Sequence, residues 1–484
     1  MIAPARSHLS ALAVLSLILI LCPARAEAQS RTPAKANGKA AAAPTTQATP
    51  QAGPVSSIAE GVYARAKSRI LQIRTLLNSA GRQSTIGSGF LVSADGLAVT
   101  NYHVISQYAL EPKTYRLEYA APDGSKGGMT LLAIDVANDL AVVRLARTDG
   151  AELPYFDFDD RALADALPKG ERIYAMGNPL DIGFTIVEGT YNGLVDKSYD
   201  ERIHLSGAIN PGMSGGPVTN ADGRVVGVNV AKRTDAEQVG FLVPAKFAAR
   251  LVESAKRDKP LDVSKSKLEI GRQLMAWQSG FYDQFNRQGF KDATFGPYRG
   301  MESAARWMNC WASTNANAVP KPRHVQSSTR CDSQTGLYVS NQIYTGRLTM
   351  DITWYQATDL NAFQFANMLS GPGWGGFGSY GGRSNRRMTE QICRHDFIAG
   401  DASHPRLRAT WCARAYREFE GLYDVILIAL TQDRDREALL GRLTMRGVGW
   451  DNANALGKRF LDSLRLAPPG ATPAATPPVN GGGQ

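Results

Sequence analysis

Between residues 60 and 245 the chain is a succession of short apolar runs broken by turn signals, and this pattern restricts the fold more than any other feature. "RILQIRTLL", "GSGFLVSADGLAVTNYHVI", "TYRLEYAAPDG", "MTLLAIDV", "LAVVRLA", "ERIYAMGNP", "TIVEGTYNGLVD", "RIHLSGAI" and "GRVVGVNVA" follow one another at close spacing. Alternating βα units need a helical stretch between successive strands, and these intervals are too short for one. The pattern predicts an all-β barrel or sandwich. "PAKFAARLVESAKR" then carries apolar residues at helical spacing and is expected to close this domain, which we place at residues 57–255.

The texture changes from about residue 262. All seven tryptophans fall there, from Trp277 to Trp450. "DREALLGRLTM" and "NANALGKRFLDSL" read as helices, "GRLTMDITWYQ" and "YDVILIALTQ" as strands, so residues 256–466 are expected to form a separate α+β domain. Residues 27–56 and 467–484 are rich in Ala, Pro, Thr and Gly, too poor in bulky apolar residues to bury a core, and are read as a disordered linker and tail.

Residues 1–26 have the layout of a secretory signal peptide: Arg6 and His8, the apolar run "LSALAVLSLILIL", then small residues, with cleavage expected after Ala26 or Ala28. The run is short for a bilayer span. A lipid anchor on Cys22 is the weaker alternative, because Leu21 stands where a small residue is needed. No later stretch is apolar enough for a transmembrane helix, so a periplasmic or secreted location is expected. The formal net charge of +10 is uneven. Residues 57–255 hold 20 Lys+Arg against 23 Asp+Glu, and residues 256–484 hold 29 against 20. Any attraction to an anionic envelope surface therefore belongs to the C-terminal half. Export argues against nucleic acid as a partner, and none is expected.

After cleavage four cysteines remain, an even number suited to two disulfides in an oxidising compartment. "MTEQICRHDFI" and "RLRATWCARAYR" read as strands joined by the turn "GDASHP". A hairpin centred between residues 402 and 403 sets Cys393 opposite Cys412, which leaves Cys310 for Cys331. The spacings of His, Cys and acidic residues suggest no metal site, and nothing calls for a cofactor.

The stretch with chemical potential is "GAINPGMSGGPVTN", residues 207–220, where Ser214 sits among glycines. Serine hydrolysis needs a base for the hydroxyl proton and an acid to orient that base. The β-rich domain has two histidines. His103 stands where the chain turns a corner after a strand pair, and His204 lies inside a strand, where a satisfied imidazole is the better reading. In "LLAIDVANDLAVVRL", Asp139 opens a buried strand and needs a partner, whereas a turn explains Asp135. "GMSGG" also fits the nucleophile elbow of α/β-hydrolases. That fold requires a helix after the serine, and "GGPVTNADGRVVGVNV" instead reads strand, turn, strand. The order His103, Asp139, Ser214 in one all-β domain is the chymotrypsin-type order.

"GSGFLVSADGLAVTNYHVI", "NDLAVVRL", "AMGNP", "GAINPGMSGGPVTNADGRVVGVN" and "VGFLVPA" resemble, in order and spacing, the HtrA/Deg-type branch of trypsin-like serine peptidases over residues 58–250. The resemblance implies a chymotrypsin-like double six-stranded barrel with His103 as general base, Asp139 as orienting acid and Ser214 as nucleophile. The amides of Gly212 and Ser214 would form the oxyanion hole. It further implies a primary pocket lined by Ala208, Val230 and Ala231, suited to a small or medium apolar side chain. Two departures stand out. Met213 replaces the Asn or Asp usual before the serine, and no carboxylate-binding loop of a PDZ domain follows. The expected function is an exported serine endopeptidase acting on polypeptides. The competing reading is a catalytically silent trypsin-like scaffold whose basic C-terminal domain binds envelope or protein partners. In that domain Trp307, Cys310 and Trp311 read as packing around a disulfide, and "GPGWGGFGSYGGRSNRR" (371–387) as a surface loop or an anion contact.

Overall fold

The computed structural model describes residues 57–147, 150–178, 183–232, 239–288, 290–303, 305–371 and 386–468. The signal-peptide and linker readings, the tail beyond residue 468 and most of the Gly-rich loop lie outside the described residues.

Helix α1 (Ser57–Ala66) leads into six strands: β1 (Ile70–Leu77), β2 (Arg82–Leu91), β3 (Leu97–Thr100), β4 (Tyr115–Ala120), β5 (Lys126–Asp135) and β6 (Leu140–Leu145). They close in the order β1-β2-β3-β6-β5-β4, every neighbouring pair antiparallel. Helix α2 (Tyr102–Leu110) connects β3 to β4. After the short α3 (Asp160–Leu163), a second barrel forms from β7 (Arg172–Gly177), β8 (Thr185–Leu194), β9 (Ile203–Ser206), β10 (Pro217–Thr219), β11 (Val225–Lys232) and β12 (Val239–Pro244). It closes as β10-β11-β12-β9-β8-β7. Closure removes the exposed edges that short strands would otherwise present. The two barrels share apolar surface: Ile70, Phe90, Leu97 and Val99 of the first belong to one buried cluster with Ile173, Met176 and Val228 of the second. Helix α4 (Ala245–Arg257) ends this part and buries Ala248 and Val252 in the same cluster.

The C-terminal part is α+β. It contains α5 (Ser266–Gln288), β13 (Phe290–Phe295), β14 (Tyr298–Ser303), β15 (Asn309–Thr314), β16 (His324–Asp332), β17 (Leu337–Ser340), β18 (Ile343–Thr345), β19 (Arg347–Ala357), α6 (Ala362–Leu369), β20 (Ile392–Ile398), β21 (Leu407–Ala415), β22 (Leu422–Thr431), β23 (Glu437–Gly449), α7 (Trp450–Ser463) and β24 (Arg465–Leu466). A seven-stranded antiparallel sheet runs β15-β16-β19-β23-β22-β21-β20, with a three-stranded sheet β13-β14-β24 and the separate hairpin β17–β18. The helix expected over "DREALLGRLTM" is instead β23. Its leucines suit either period, but Leu439, Gly441, Leu443 and Met445 are buried alternately with half-buried Leu440, Arg442 and Thr444. Flanking β19 and β22 supply ladders along its length, and tertiary pairing outweighs the weak local preference.

Helix α5 joins the two parts. Its first half sends Ile270 and Leu274 into the core of the first barrel, beside Tyr102, Ile105 and Leu117. Its second half sends Phe281, Tyr282 and Phe285 into the core under the large sheet, beside Trp307 and Leu348. Leu337, Val339 and Ile343 of the β17–β18 hairpin, with Phe419 and Leu422, join the first-barrel cluster. The described residues therefore form one compact unit. Arg387, at the end of the Gly-rich stretch, is committed to Glu418 and to Glu111 beyond the end of α2. It braces the two parts and is no element of an open basic patch.

Both disulfides lie across strand pairs. Cys393 faces Cys412 in the β20–β21 register and Cys310 faces Cys331 in the β15–β16 register; each pair is bonded.

Candidate active site

Asp139 and His103 are brought together by the start of α2. Asp139 adopts a left-handed backbone, φ 58°, in the turn between β5 and β6, a conformation aspartate tolerates better than most side chains. That turn aims both its carbonyl and its carboxylate at the N-terminus of α2. The carbonyl accepts from the Tyr102 amide at 3.1 Å and from Asn101 Nδ2 at 2.8 Å. Carboxylate Oδ1 accepts from the His103 amide at 2.9 Å, and Oδ2 lies 2.6 Å from His103 Nδ1. One residue thus satisfies amides that a helix start leaves without intrahelical acceptors and holds the imidazole by one nitrogen. Asp135, the alternative acid, is occupied within its own turn, accepting from the Asn138 amide at 3.0 Å and from Asn138 Nδ2 at 2.8 Å. Burial disfavours the imidazolium of His103, but the Asp139 charge and hydrogen bond prevail and raise its pKa above the ordinary value. His204 lies in β9, paired with Phe241.

The Ser214 loop is held at the seam between the barrels. The Ser88 amide donates to the Ser214 carbonyl at 2.8 Å, and Ser88 Oγ donates to the Gly212 carbonyl at 2.7 Å while accepting from the Asn178 amide at 2.9 Å. The glycines here are steric necessities. A Cβ on Gly215, whose φ is 84°, would stand 2.3 Å from the Ser88 carbonyl and 2.8 Å from the Asn101 amide; one on Gly216 would stand 2.1 Å from the Met176 carbonyl. The nucleophile candidate is therefore wedged beside the segment that leads into His103.

The amides of this loop divide into two groups. Those of Met213, Gly215 and Gly216 are bonded to the carbonyls of Asn210, Asn229 and Met213. Among the described residues, those of Gly212 and Ser214 have no intramolecular acceptor. Two free amides flanking a serine can stabilise an oxyanion. Gly212 has φ 96°, which only glycine adopts without strain. The Ser214 hydroxyl donates to the Val230 carbonyl at 3.3 Å.

Met213 is fully buried in the inter-barrel cluster, and its sulfur accepts from the Asn210 amide at 3.5 Å. The residue that breaks the family pattern is thus the apolar anchor beneath the loop. Of the pocket candidates, Ala208 is exposed and Val230 half-buried; the side chain of Ala231 lies outside the described residues. The one cluster among the described residues with metal-ligand spacing, Glu302 with Cys310 and Cys331, has both sulfurs in a disulfide. Sequence reasoning missed Ser88, which ties the two barrels to the Ser214 loop. Its signal was the serine flanked by glycines in "GSGFLV".

Residues 87–228 match the family model described as trypsin-like peptidase domain. The two closed antiparallel barrels with this loop between them are similar to a trypsin-like peptidase domain of the HtrA/Deg type. Curated relatives of that domain include the Chlamydia pneumoniae protein named "Probable periplasmic serine endoprotease DegP-like", 34% identical over 185 residues that cover 37% of this chain and 36% of the relative. Another is "Serine protease HTRA1" of Xenopus laevis, 30% identical over 224 residues, covering 44% of this chain and 46% of the relative. The chain therefore spans less than half the length of the curated relatives it matches. A solved serine endoprotease from Yersinia pestis aligns with 26% identity and a TM-score of 0.36, covering 41% of this chain and 67% of the other. The matched residues 87–228 hold most of both barrels, and the α+β part lies beyond them.

Proposed function

We propose that the chain is an exported serine endopeptidase that hydrolyses peptide bonds of protein substrates. Ser214 attacks the scissile carbonyl, and His103 takes its proton and then passes it to the leaving amine. Asp139 holds the imidazole in the required tautomer and stabilises the imidazolium. The Gly212 and Ser214 amides receive the developing oxyanion. Water then hydrolyses the acyl-enzyme by the same proton path, without a cofactor. The observation that carries this reading is the 2.6 Å His103–Asp139 pair at the seam where the Ser214 loop offers two unpaired amides. Attack requires the Ser214 hydroxyl to leave the Val230 carbonyl for the imidazole. Export rests on the composition of residues 1–26 and agrees with the periplasmic name of a relative. Among the described residues no helix is long and apolar enough to cross a membrane.

A fluorophosphonate probe tests the assignment. Wild-type protein should label and cleave unfolded casein, and Ser214→Ala should do neither while remaining folded. Folded wild type that neither labels nor cleaves would leave the scaffold reading in possession.

A further inference from the structure

The C-terminal part reaches the candidate active site through one element. Hairpin β17–β18 lies against α2, the helix that carries His103. Its base is fixed: Leu337, Val339 and Ile343 are buried in the first-barrel core, the Tyr102 hydroxyl donates to the Val339 carbonyl at 3.0 Å, and Thr345 Oγ1 lies 2.6 Å from the Tyr416 hydroxyl. Its two tyrosines form a directly opposed cross-strand pair, Tyr338 with Tyr344, so their side chains share a face. The Tyr338 ring stands 5.8 Å from the His103 imidazole, the planes at 72°. Tyr344 is 59% exposed. With the Tyr338 ring against His103 and Tyr344 opposite it on the paired strand, the hairpin stands beside the imidazole. The same two tyrosines line a cavity of about 420 Å³ with Arg414 and Arg446.

Resting on the peptidase reading, we infer that this hairpin is a wall of the substrate cleft supplied by the C-terminal part. Tyr338 is a positioning residue that braces the His103 ring, and Tyr344 is a specificity-determining residue. An edge-to-face neighbour limits rotation of the imidazole about its side-chain bonds, leaving Asp139 to set its height and Tyr338 its tilt. A peptide whose scissile bond lies between Ser214 and His103 carries an adjoining side chain past the imidazole, and the exposed Tyr344 ring is the apolar surface it meets there. The substrate class is an extended or unfolded polypeptide with a bulky apolar or aromatic side chain next to the scissile residue, on the His103 side.

The experiment is cleavage-site profiling of the full chain on a peptide library, with steady-state kinetics on one preferred peptide and fluorophosphonate labelling in parallel. Wild type should prefer bulky apolar residues at one position adjoining the scissile residue. Tyr344→Ala should flatten that preference and raise KM about tenfold, and Tyr344→Phe should restore both. Tyr338→Ala should lower kcat about tenfold, and Tyr338→Phe should restore it, because the ring and not the hydroxyl does the bracing. Labelled wild type whose profile is the same at every position in Tyr344→Ala overturns the wall. Folded wild type that takes no label removes the peptidase reading and the hairpin's role with it. Tyr344 is exposed, so its variants are expected to fold, and a Tyr338→Phe protein as impaired as Tyr338→Ala overturns the bracing role.

Discussion

Burial disfavours a charged imidazole at His103, and the Asp139 carboxylate outweighs it, so the folded pKa lies above the ordinary value. A general base must be neutral, so activity is expected to rise as pH climbs through that raised value. Asp139→Asn removes the charge and leaves burial, which acts downward. The acid limb of kcat/KM against pH should therefore move to lower pH, while the plateau falls on the order of 10⁴-fold because the amide does not hold the required tautomer. A limb that moves upward would contradict the attribution. Met213 makes a second expectation at this scale. It is fully buried and packed between the barrels, so Met213→Asn, which restores the residue type usual in the family, should destabilise the protein. The expected loss is about 2–4 kcal/mol, from lost apolar burial and an amide set among apolar neighbours. Met213→Leu should cost under about 1.5 kcal/mol. Urea denaturation separates the two. The sequence marked Met213 as unusual yet offered no place for it, because the partners that bury it come from strands far along the chain.

Among elements, the seam between β2 and the Ser214 loop is the sensitive junction. Ser88 makes two hydrogen bonds to that loop, and its hydroxyl also accepts from the Asn178 amide at the end of β7. Ser88→Ala leaves the Gly212 carbonyl and the Asn178 amide without that partner, at about 1–3 kcal/mol for each buried group. Release of the Gly212 carbonyl should also loosen Gly212 and lower kcat by on the order of 10²-fold if its amide, in the preceding peptide unit, is an oxyanion donor. A normal kcat at lowered thermal stability would assign Ser88 to folding alone. Gly215→Ala should be worse, since its Cβ would meet backbone at 2.3 Å in a left-handed conformation; the expected readout is loss of fluorophosphonate labelling. Most strand positions in the barrels were legible because short apolar runs separated by turns leave no room for βα units, whereas the order in which the strands pair was not. Strand β23 was not, because its leucines satisfy helical and extended periods alike and only its neighbours β19 and β22 decide between them.

For the whole molecule, α5 and the β17–β18 hairpin make the C-terminal part a component of the first barrel's core. Removing residues 262–484 would expose the surface of Tyr102, Ile105 and Leu117 now shared with Ile270, Leu274, Val339 and Ile343. Each large apolar side chain uncovered costs about 1.5–3 kcal/mol, so the chain ending at residue 261 is expected to be aggregated or only marginally folded. Size-exclusion chromatography and thermal melting beside the full chain check this, and a monodisperse fragment of unchanged Tm would contradict it. The disulfides close loops of sequence separation 21 and 19. Their reduction should lower stability by about 3 kcal/mol each on the chain-entropy account, read as a lower Tm under reductant.

What the sequence determined by itself is local or nearly so: the succession of strands, the residue types from which His103, Asp139 and Ser214 stand out as candidates, and the hairpin register that sets Cys393 against Cys412. Each follows from spacing, turn chemistry or alternation along a short stretch. What the tertiary structure decided is every relation across long separations. Ser88 reaches Gly212 over 124 residues and Tyr102 reaches Val339 over 237. Tyr338 comes to rest on His103. These depend on how barrels, helix and hairpin pack, and side-chain packing leaves no periodic trace in the chain that it joins.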